Sequence, residues 1–278
     1  MIKPFKYSLL VLLGTSFSLA SAPTQVGDSF FSFGIGFHGL GTGGTFYLGS
    51  DGTFKQLVSA TFTGAGLAPT YGRSGTGTYT YVQSGQNEGT LTFSSGITYV
   101  LEFTRNNTSG FINNTGGFGS FSFLFASQNT FLTNVSNRVT LRPNDTAISG
   151  FVIEGNTQRL VLVRTVGPTL AEFGVSPVSA HPNLKLFSGI EANLIASGQP
   201  WGSGTTYDAQ AMGWIFGIAG AFQLKTGSND VVYFGVLDPG AYTAEAFDPT
   251  VGVEGGSALT EVYILPYSGS PGDYFWGG

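Results

Sequence analysis

Short runs of alternating side chains, cut by glycine, constrain this chain more than any other feature. Runs open with Gly-Thr and then an aromatic or aliphatic residue at Gly44, Gly52, Gly77 and Gly89. Alternation follows in Thr78-Tyr79-Thr80-Tyr81-Val82 and in Thr90-Leu91-Thr92-Phe93. Tyr99, Leu101 and Phe103 are interleaved with Thr98, Val100 and Glu102, and Phe121 and Phe123 with Ser120 and Ser122. A period of two sends one set of side chains to each face of a strand. Gly49-Ser50-Asp51-Gly52 between two such runs is a hairpin turn. The spacing of the runs is irregular, which excludes a solenoid repeat. Residues 27–126 therefore predict an antiparallel meander of roughly seven or eight strands, closed as a small barrel or folded as a sandwich.

The side chains that fill the polar positions agree with this. Charged residues make up 10% of the chain, against about 25% in an average soluble domain. Thr, Ser, Asn and Gly stand where a helical protein would carry Lys and Glu, and Thr with aromatics suits a pleated surface. The net charge is −5 and no basic run occurs, so nucleic acid is not expected as a partner. Cysteine is absent, which excludes disulfides, thiolate metal sites and a cysteine nucleophile. A cysteine-free exported chain points to a bacterial source.

The texture changes around Ser127–Thr133. Phenylalanine thins and β-branched runs take over at Ile148–Ile153, Leu160–Val166 and Val231–Leu237. Such runs suit strands buried on both faces. Asn183–Phe187, Ala241–Phe247 and Thr260–Leu265 add further strands, and Asp238-Pro239-Gly240 is a turn. One short helix is expected over Asp208–Phe222, capped by Asp208, with Met212, Ile215, Phe216 and Ala219 on its apolar stripe. The expected organisation is all-β: a signal peptide at 1–22, a Gly/Phe-rich meander at 23–128, a β-sandwich module at 129–266 and an irregular tail at 267–278.

The signal peptide is read from Lys3 and Lys6, the apolar run Leu9–Leu13 and the small residues Ser18-Leu19-Ala20-Ser21-Ala22. The apolar run is shorter than the roughly 20 residues that span a bilayer, so cleavage rather than anchoring is expected. Cleavage before Ser21 avoids placing Pro23 just after the cut. The expected location is outside the cell or in a bacterial envelope.

The second half resembles a C-terminal module of exported proteins from Verrucomicrobia and neighbouring phyla. Leu132–Ser136, Ile148–Ile153 and Val163-Arg164-Thr165-Val166-Gly167-Pro168-Thr169-Leu170 carry the resemblance, with Pro182–Leu186, Pro239-Gly240-Ala241-Tyr242-Thr243 and Glu261-Val262-Tyr263. The first half is similar to the β-meanders that precede such modules. The resemblance implies export and a β fold; it implies no reaction and transfers no catalytic residue.

No motif supplies a reaction. Gly34-Ile35-Gly36-Phe37-His38-Gly39 fits a dinucleotide pattern, but Gly41–Gly44 follow where a helix is needed. His38 and His181 are the only histidines; they have no zinc-ligand spacing, and no nucleophile elbow accompanies them. Glu154, Glu172, Glu191, Asp208, Asp230, Glu245 and Glu261 are the acids that could pair as in a glycosidase. If the chain has a ligand site, it is expected to be a glycan platform at Trp201 and Tyr207, in the glycine-rich segment Gly198–Tyr207. The alternative for Trp201 is a ring closing one end of the sandwich. The expected function is a non-catalytic surface protein, structural or adhesive. A carbohydrate-binding module and an outer-membrane barrel are the alternatives, the latter disfavoured by strands of five to seven residues. No cofactor or metal is expected, and no transmembrane helix after the signal. The expected partners are the protein itself, other envelope components or a polysaccharide.

Overall fold

The computed structural model describes residues 21–37, 40–63, 70–72, 74–104, 107–114, 117–126, 134–189, 191–202 and 207–269. Residues 1–20 of the expected signal peptide, His38, the 128/129 boundary and the end of the tail lie outside them. The fold is all-β, as the alternation predicts.

The first half is an antiparallel barrel. Strands β1 (Ser29–Phe37), β2 (Leu40–Leu48) and β3 (Thr53–Thr63) lead past a short β4 (Thr70–Gly72) to β5 (Gly75–Gln83). Then come β6 (Glu88–Phe93), β7 (Thr98–Phe103), β8 (Ser109–Asn114) and β9 (Gly117–Ala126). The order is β1-β2-β3-β5-β6-β7-β8-β9, and β1 closes it by pairing with both β2 and β9. β4 is a side strand on β3. Closure removes the sheet edge. Gly119 lets β9 approach β1, because a Cβ there would lie 1.9 Å from the Gly34 carbonyl oxygen.

Eight strands leave an interior wide enough for side chains to fill. Here rings fill it. Phe31, Phe33, Phe46, Phe54, Phe93 and Tyr99 are buried with Phe103, Phe121 and Phe123. Neighbouring centroids lie as close as 4.8 Å for Phe33–Tyr99 and 4.9 Å for Phe31–Phe123. The alternate residues Thr80, Thr98 and Glu102 are exposed.

Strands β1, β2 and β5 have 9 residues each, β9 has 10 and β3 has 11. β1 and β2 exceed the expected five to seven because Gly34–Gly36 and Gly41–Gly44 continue the ladder rather than ending it, whereas β6, β7 and β8 have 6 residues each, as expected. Three of the eight strands are therefore too short to span a membrane, and side-chain direction argues against a membrane barrel as well. A membrane barrel is apolar outside and polar within; this one is aromatic within and carries threonine and glutamate outside.

The second half is a sandwich. One sheet holds β10 (Asn134–Leu141), β12 (Gln158–Val166), β15 (Gln199–Pro200), β16 (Val231–Leu237) and β18 (Gly256–Gly269). The other holds β11 (Ala147–Ile153), β13 (Asn183–Ser188), β14 (Asn193–Ser197) and β17 (Gly240–Phe247), in the order β11-β17-β13-β14. Between them lie Val161, Val163 and Val262 of the first sheet with Phe151, Leu184, Leu186 and Tyr242 of the second. Helix α1 (Ala209–Ala219) and a 3-10 turn at Pro168–Phe173 complete the fold. The Asp208 side chain accepts from the Ala211 N–H at the start of α1, and Gly220 closes it in the left-handed region at φ 72°.

Helix α1 joins the two halves. Met212, Ile215 and Phe216 pack in one core with Leu160, Leu162 and Phe234 of the sandwich. The same core contains Phe30, Leu57, Val58 and Leu124 from the outer wall of the barrel. A register shift between β2 and β3 makes room: Thr45 opposes Val58, Phe46 opposes Gln56, and Leu57 is the extra residue. The bulge lets two successive apolar residues serve the same core.

β18 also belongs to both halves. Gly256–Tyr263 pairs with β10, and Tyr267 and Ser268 pair with Ala126 and Phe125 of β9. The sequence reads as irregular from Pro266, yet the strand runs to Gly269 because β9 and the start of β12 supply partners for its end.

Candidate functional site

The strongest concentration of polar chemistry lies beneath α1. On β12, Leu160, Leu162, Arg164 and Val166 face the helix, while Val161, Val163 and Thr165 face the other sheet. Arg164 is directly opposite Glu261 of β18. Its Nε donates to Glu261 Oε2 at 3.0 Å and Nη2 donates to the same oxygen. Nη1 donates to the Phe222 carbonyl at 2.7 Å. The remaining oxygen, Glu261 Oε1, accepts from the Tyr263 hydroxyl at 2.8 Å. Rings enclose the guanidinium: its carbon lies 4.4 Å from the Phe222 centroid and 5.0 Å from that of Phe216. Burial and the neighbouring Glu261 push the Tyr263 hydroxyl up to about 12. Arg164 is 0% exposed and Glu261 5%. A buried pair of this kind persists only when its donors and acceptors are satisfied. These groups are, so the pair serves as a strut rather than as a reactive centre.

Asp230 forms a second buried centre. It is 0% exposed. Oδ1 accepts from the Gly167 N–H at 2.7 Å. Oδ2 accepts from the Ser228 hydroxyl at 2.5 Å and from Thr169 Oγ1. The acid thus ties the Gly167-Pro168-Thr169 corner, where β12 ends, to the start of β16.

Trp201 completes this network from inside. Its Nε1 lies 2.9 Å from Ser228 Oγ and 3.0 Å from the Lys225 carbonyl. Its ring packs 6.0 Å from Phe216. Tyr207 meets Phe234 edge-on at 5.4 Å. Each ring is 7% exposed. The glycan platform expected at Trp201 and Tyr207 is therefore corrected: a sugar needs an open ring face, and both rings belong to the core around α1. Loop position suggested exposure, but the Trp201 backbone N–H donates to the Asp230 carbonyl, which draws the loop onto β16.

A third carboxylate, Asp248, stands at the same end of the sandwich, where Asn229 beside Asp230 donates to the Ala180 carbonyl at 3.1 Å. Oδ2 accepts from Ser179 Oγ at 2.6 Å and the His181 N–H at 3.0 Å; Oδ1 accepts from the Thr250 N–H and Oγ1 at 2.8 Å. Burial alone pushes this carboxyl up; the four donors outweigh it and hold it at about 2. His181 is exposed, with Nδ1 2.9 Å from Thr250 Oγ1. Ser179 bonds the acid and not the imidazole, so the set lacks the relay of a nucleophilic triad.

The other expected acids are dispersed. Glu154, Glu172 and Glu191 are exposed in loops or at the 3-10 turn. Glu245 is opposite Lys185 across β17 and β13. Asp208 accepts from the Ser74 N–H at 2.8 Å as well as from Ala211, bridging α1 to the barrel. Burial pushes the Asp208 carboxyl up, but these donors prevail and lower it. Among the described residues, no group of three His, Asp or Glu side chains is placed to hold a metal ion. Gly34 and Gly36 lie inside β1 and another strand follows, so the dinucleotide pattern has neither its turn nor its helix.

Sequence reasoning singled out Arg164 and Tyr263 only as letters in motifs, and Glu261 also as one of seven acids that could pair. Their meeting could be anticipated only from the register of β12 against β18, which separates them by 97 positions in the chain for Arg164 and Glu261. Asp230 has no local signal.

No family model and no curated protein matches the chain. Among solved structures it is similar to the infectious bursal disease virus VP2 subviral particle, at 11% identity over 89% of this chain and 75% of that one, with a TM-score of 0.22. The Gx strain of the same virus gives 10% identity over 92% and 75%, also with a TM-score of 0.22. Scores this low carry no inference about function.

Proposed function

We propose that the chain is a non-catalytic structural protein, exported to the cell surface or envelope. One observation carries this reading: Arg164, Asp230, Asp248 and Glu261, the buried charged residues among those described, are all occupied by internal donors or acceptors. Each of these four charges holds strands or corners of the second half in place. The carbohydrate-binding alternative loses its residue-level basis with the burial of Trp201 and Tyr207.

Export remains part of the proposal. Ala22 supports a mature start at Ser21 over one at Pro23. It is 4% exposed, its N–H donates to the Gln86 carbonyl, and its own carbonyl accepts from Gln83 Nε2. A start at Pro23 would delete those bonds.

Cell fractionation with N-terminal analysis, together with a survey of polysaccharide, ester and phosphoester hydrolysis, tests the proposal. The expected result is an exported chain beginning at Ser21 and no turnover. Turnover abolished by an acid-to-amide change such as Glu245→Gln would overturn the non-catalytic reading. A retained Met1 would overturn export.

A further inference from the structure

Strand edges are where a β protein meets partners, because backbone N–H and C=O groups there have no neighbour. Proteins protect such edges with proline, charge, bulges or extreme shortness. The sandwich edges differ in this respect. β15 has two residues, one of them Pro200. β14 is bulged: Leu186 opposes Ala196 and Phe187 opposes Leu194, so Ile195 is the extra residue. β10 carries the exposed charge of Arg138. β11 has none of these devices. It is seven residues, Ala147-Ile148-Ser149-Gly150-Phe151-Val152-Ile153, regularly paired with β17 on one side. Among the described residues, no strand lies on the other side.

The solvent side of β11 is apolar as well. Ile148 is 63% exposed and Val152 58%, with Gly150 exposed between them. Ser149 and Phe151 point inward. This pattern is self-complementary. An antiparallel pairing of two copies about Gly150 sets Ile148 opposite Val152 twice, with the glycines meeting at the centre. Ala147 then opposes Ile153 on the inner side. No ionisable group lies within the seam. Glu245, next to Ile148 in the sheet, already faces Lys185 on its other side. The acids Asp145 and Glu154 flank the ends of the strand.

We infer that β11 is an association edge whose occupant is a second copy of this chain, joined antiparallel about Gly150 so that two four-stranded sheets become one of eight. The inference rests on the structural reading only for what the association accomplishes. A seven-residue seam belongs to the small, weak class of interfaces, so dissociation on the order of tens of micromolar is expected. Acids at both ends mean that added salt strengthens the dimer by screening.

Sedimentation of the protein over a range of concentrations tests this, with thermal melts as the control for folding. The expected result is a monomer–dimer equilibrium. Ile148→Lys, at an exposed position, should raise the dissociation constant at least tenfold while leaving the melt in place. Adding Val152→Glu in the same chain should restore association, because the introduced charges then oppose each other across the twofold axis. A wild-type monomer at millimolar concentration would overturn the inference. So would a dimer indifferent to Ile148→Lys, or a double variant no better than the single one. Hydrolysis measured separately reports on the non-catalytic reading, so either can fail without the other.

Discussion

Inside the barrel, Phe31, Phe33, Phe46, Phe93, Phe121 and Phe123 meet ring against ring. On the helix-facing side of β12, an arginine is sealed against a glutamate under three rings. Every buried charged residue among those described belongs to the second half. The contrast follows from how each sheet finds its register. A closed meander joins neighbours in sequence by hairpins, so local turns and alternation already define the pairing. The sandwich pairs strands far apart in the chain, where apolar contacts alone leave sliding possible. Arg164 opposite Glu261, and Asp230 holding the corner at Gly167, distinguish one alignment of distant strands from its neighbours.

The sharpest way to break this comparison is to remove one member of the pair. Arg164→Met should cost about 3–5 kcal/mol in denaturant unfolding, because Glu261 is left buried without its counter-ion. Arg164→Met combined with Glu261→Leu should recover most of that loss. Phe123→Leu in the barrel should cost only about 1–2 kcal/mol, since one apolar shape replaces another. If the single charge deletion proved as mild as the phenylalanine change, the distinction between the two cores would not stand.

Trp201 sharpens the contrast from another side. Trp201→Ala should destabilise by about 3–5 kcal/mol through lost packing. Trp201→Phe keeps a ring but removes the donor to Ser228 and Lys225, and should cost about 1–3 kcal/mol. Polysaccharide retention, measured on the same variants, should not change.

Acid should act on the sandwich before the barrel. Asp248 is held at about 2, below the ordinary carboxylate range, by its four donors. A carboxyl lowered in the folded state stabilises fully above its unfolded value and ceases to do so as pH falls through its folded one. Between roughly pH 4 and pH 2 the sandwich should lose on the order of 2 kcal/mol. Asp248→Asn should flatten that limb of the stability profile. Hydrogen exchange resolved by strand would show whether β17 and β18 open first.

The smallest effect concerns the junction. Asp208→Ala removes the cap of α1 and the acceptor for Ser74, for a cost of about 1 kcal/mol. Limited proteolysis should then cut more readily between the halves.

The same contrast decides how much was legible beforehand. Alternation at Thr78–Val82 and Thr90–Phe93 revealed the barrel strands and which rings turn inward, because the period is a local property. The cap at Asp208 and the stripe of Met212, Ile215 and Phe216 were legible for the same reason. Barrel rather than sandwich was not, since closure depends on β1 meeting β9, with Ser29 opposite Phe125 and Gly36 opposite Phe118. The glycan reading of Trp201 failed because its surroundings in sequence, Pro200 and Gly202, describe a turn, whereas the reading of a ring closing the sandwich fits its burial. Its burial comes from Asp230, Ser228 and Lys225, which arrive from elsewhere in the chain. Arg164 and Glu261 look like surface charges one at a time, and only their register makes them interior.

β18 follows in the chain every strand it pairs with, and it lies between β12 on one side and β9 and β10 on the other. A ribosome delivers the barrel strands first, and hairpins let them associate as they emerge. The sandwich must wait. Until Gly256–Gly269 appears, β10 and β12 have a gap between them, Arg164 has no counter-ion and the end of β9 stays open. A growing chain therefore spends the interval with a finished barrel joined to an unfinished sheet, and β18 closes both in a single late step. A chain shortened just before Gly256 would be held in that interval, with its gap open to any strand that fits.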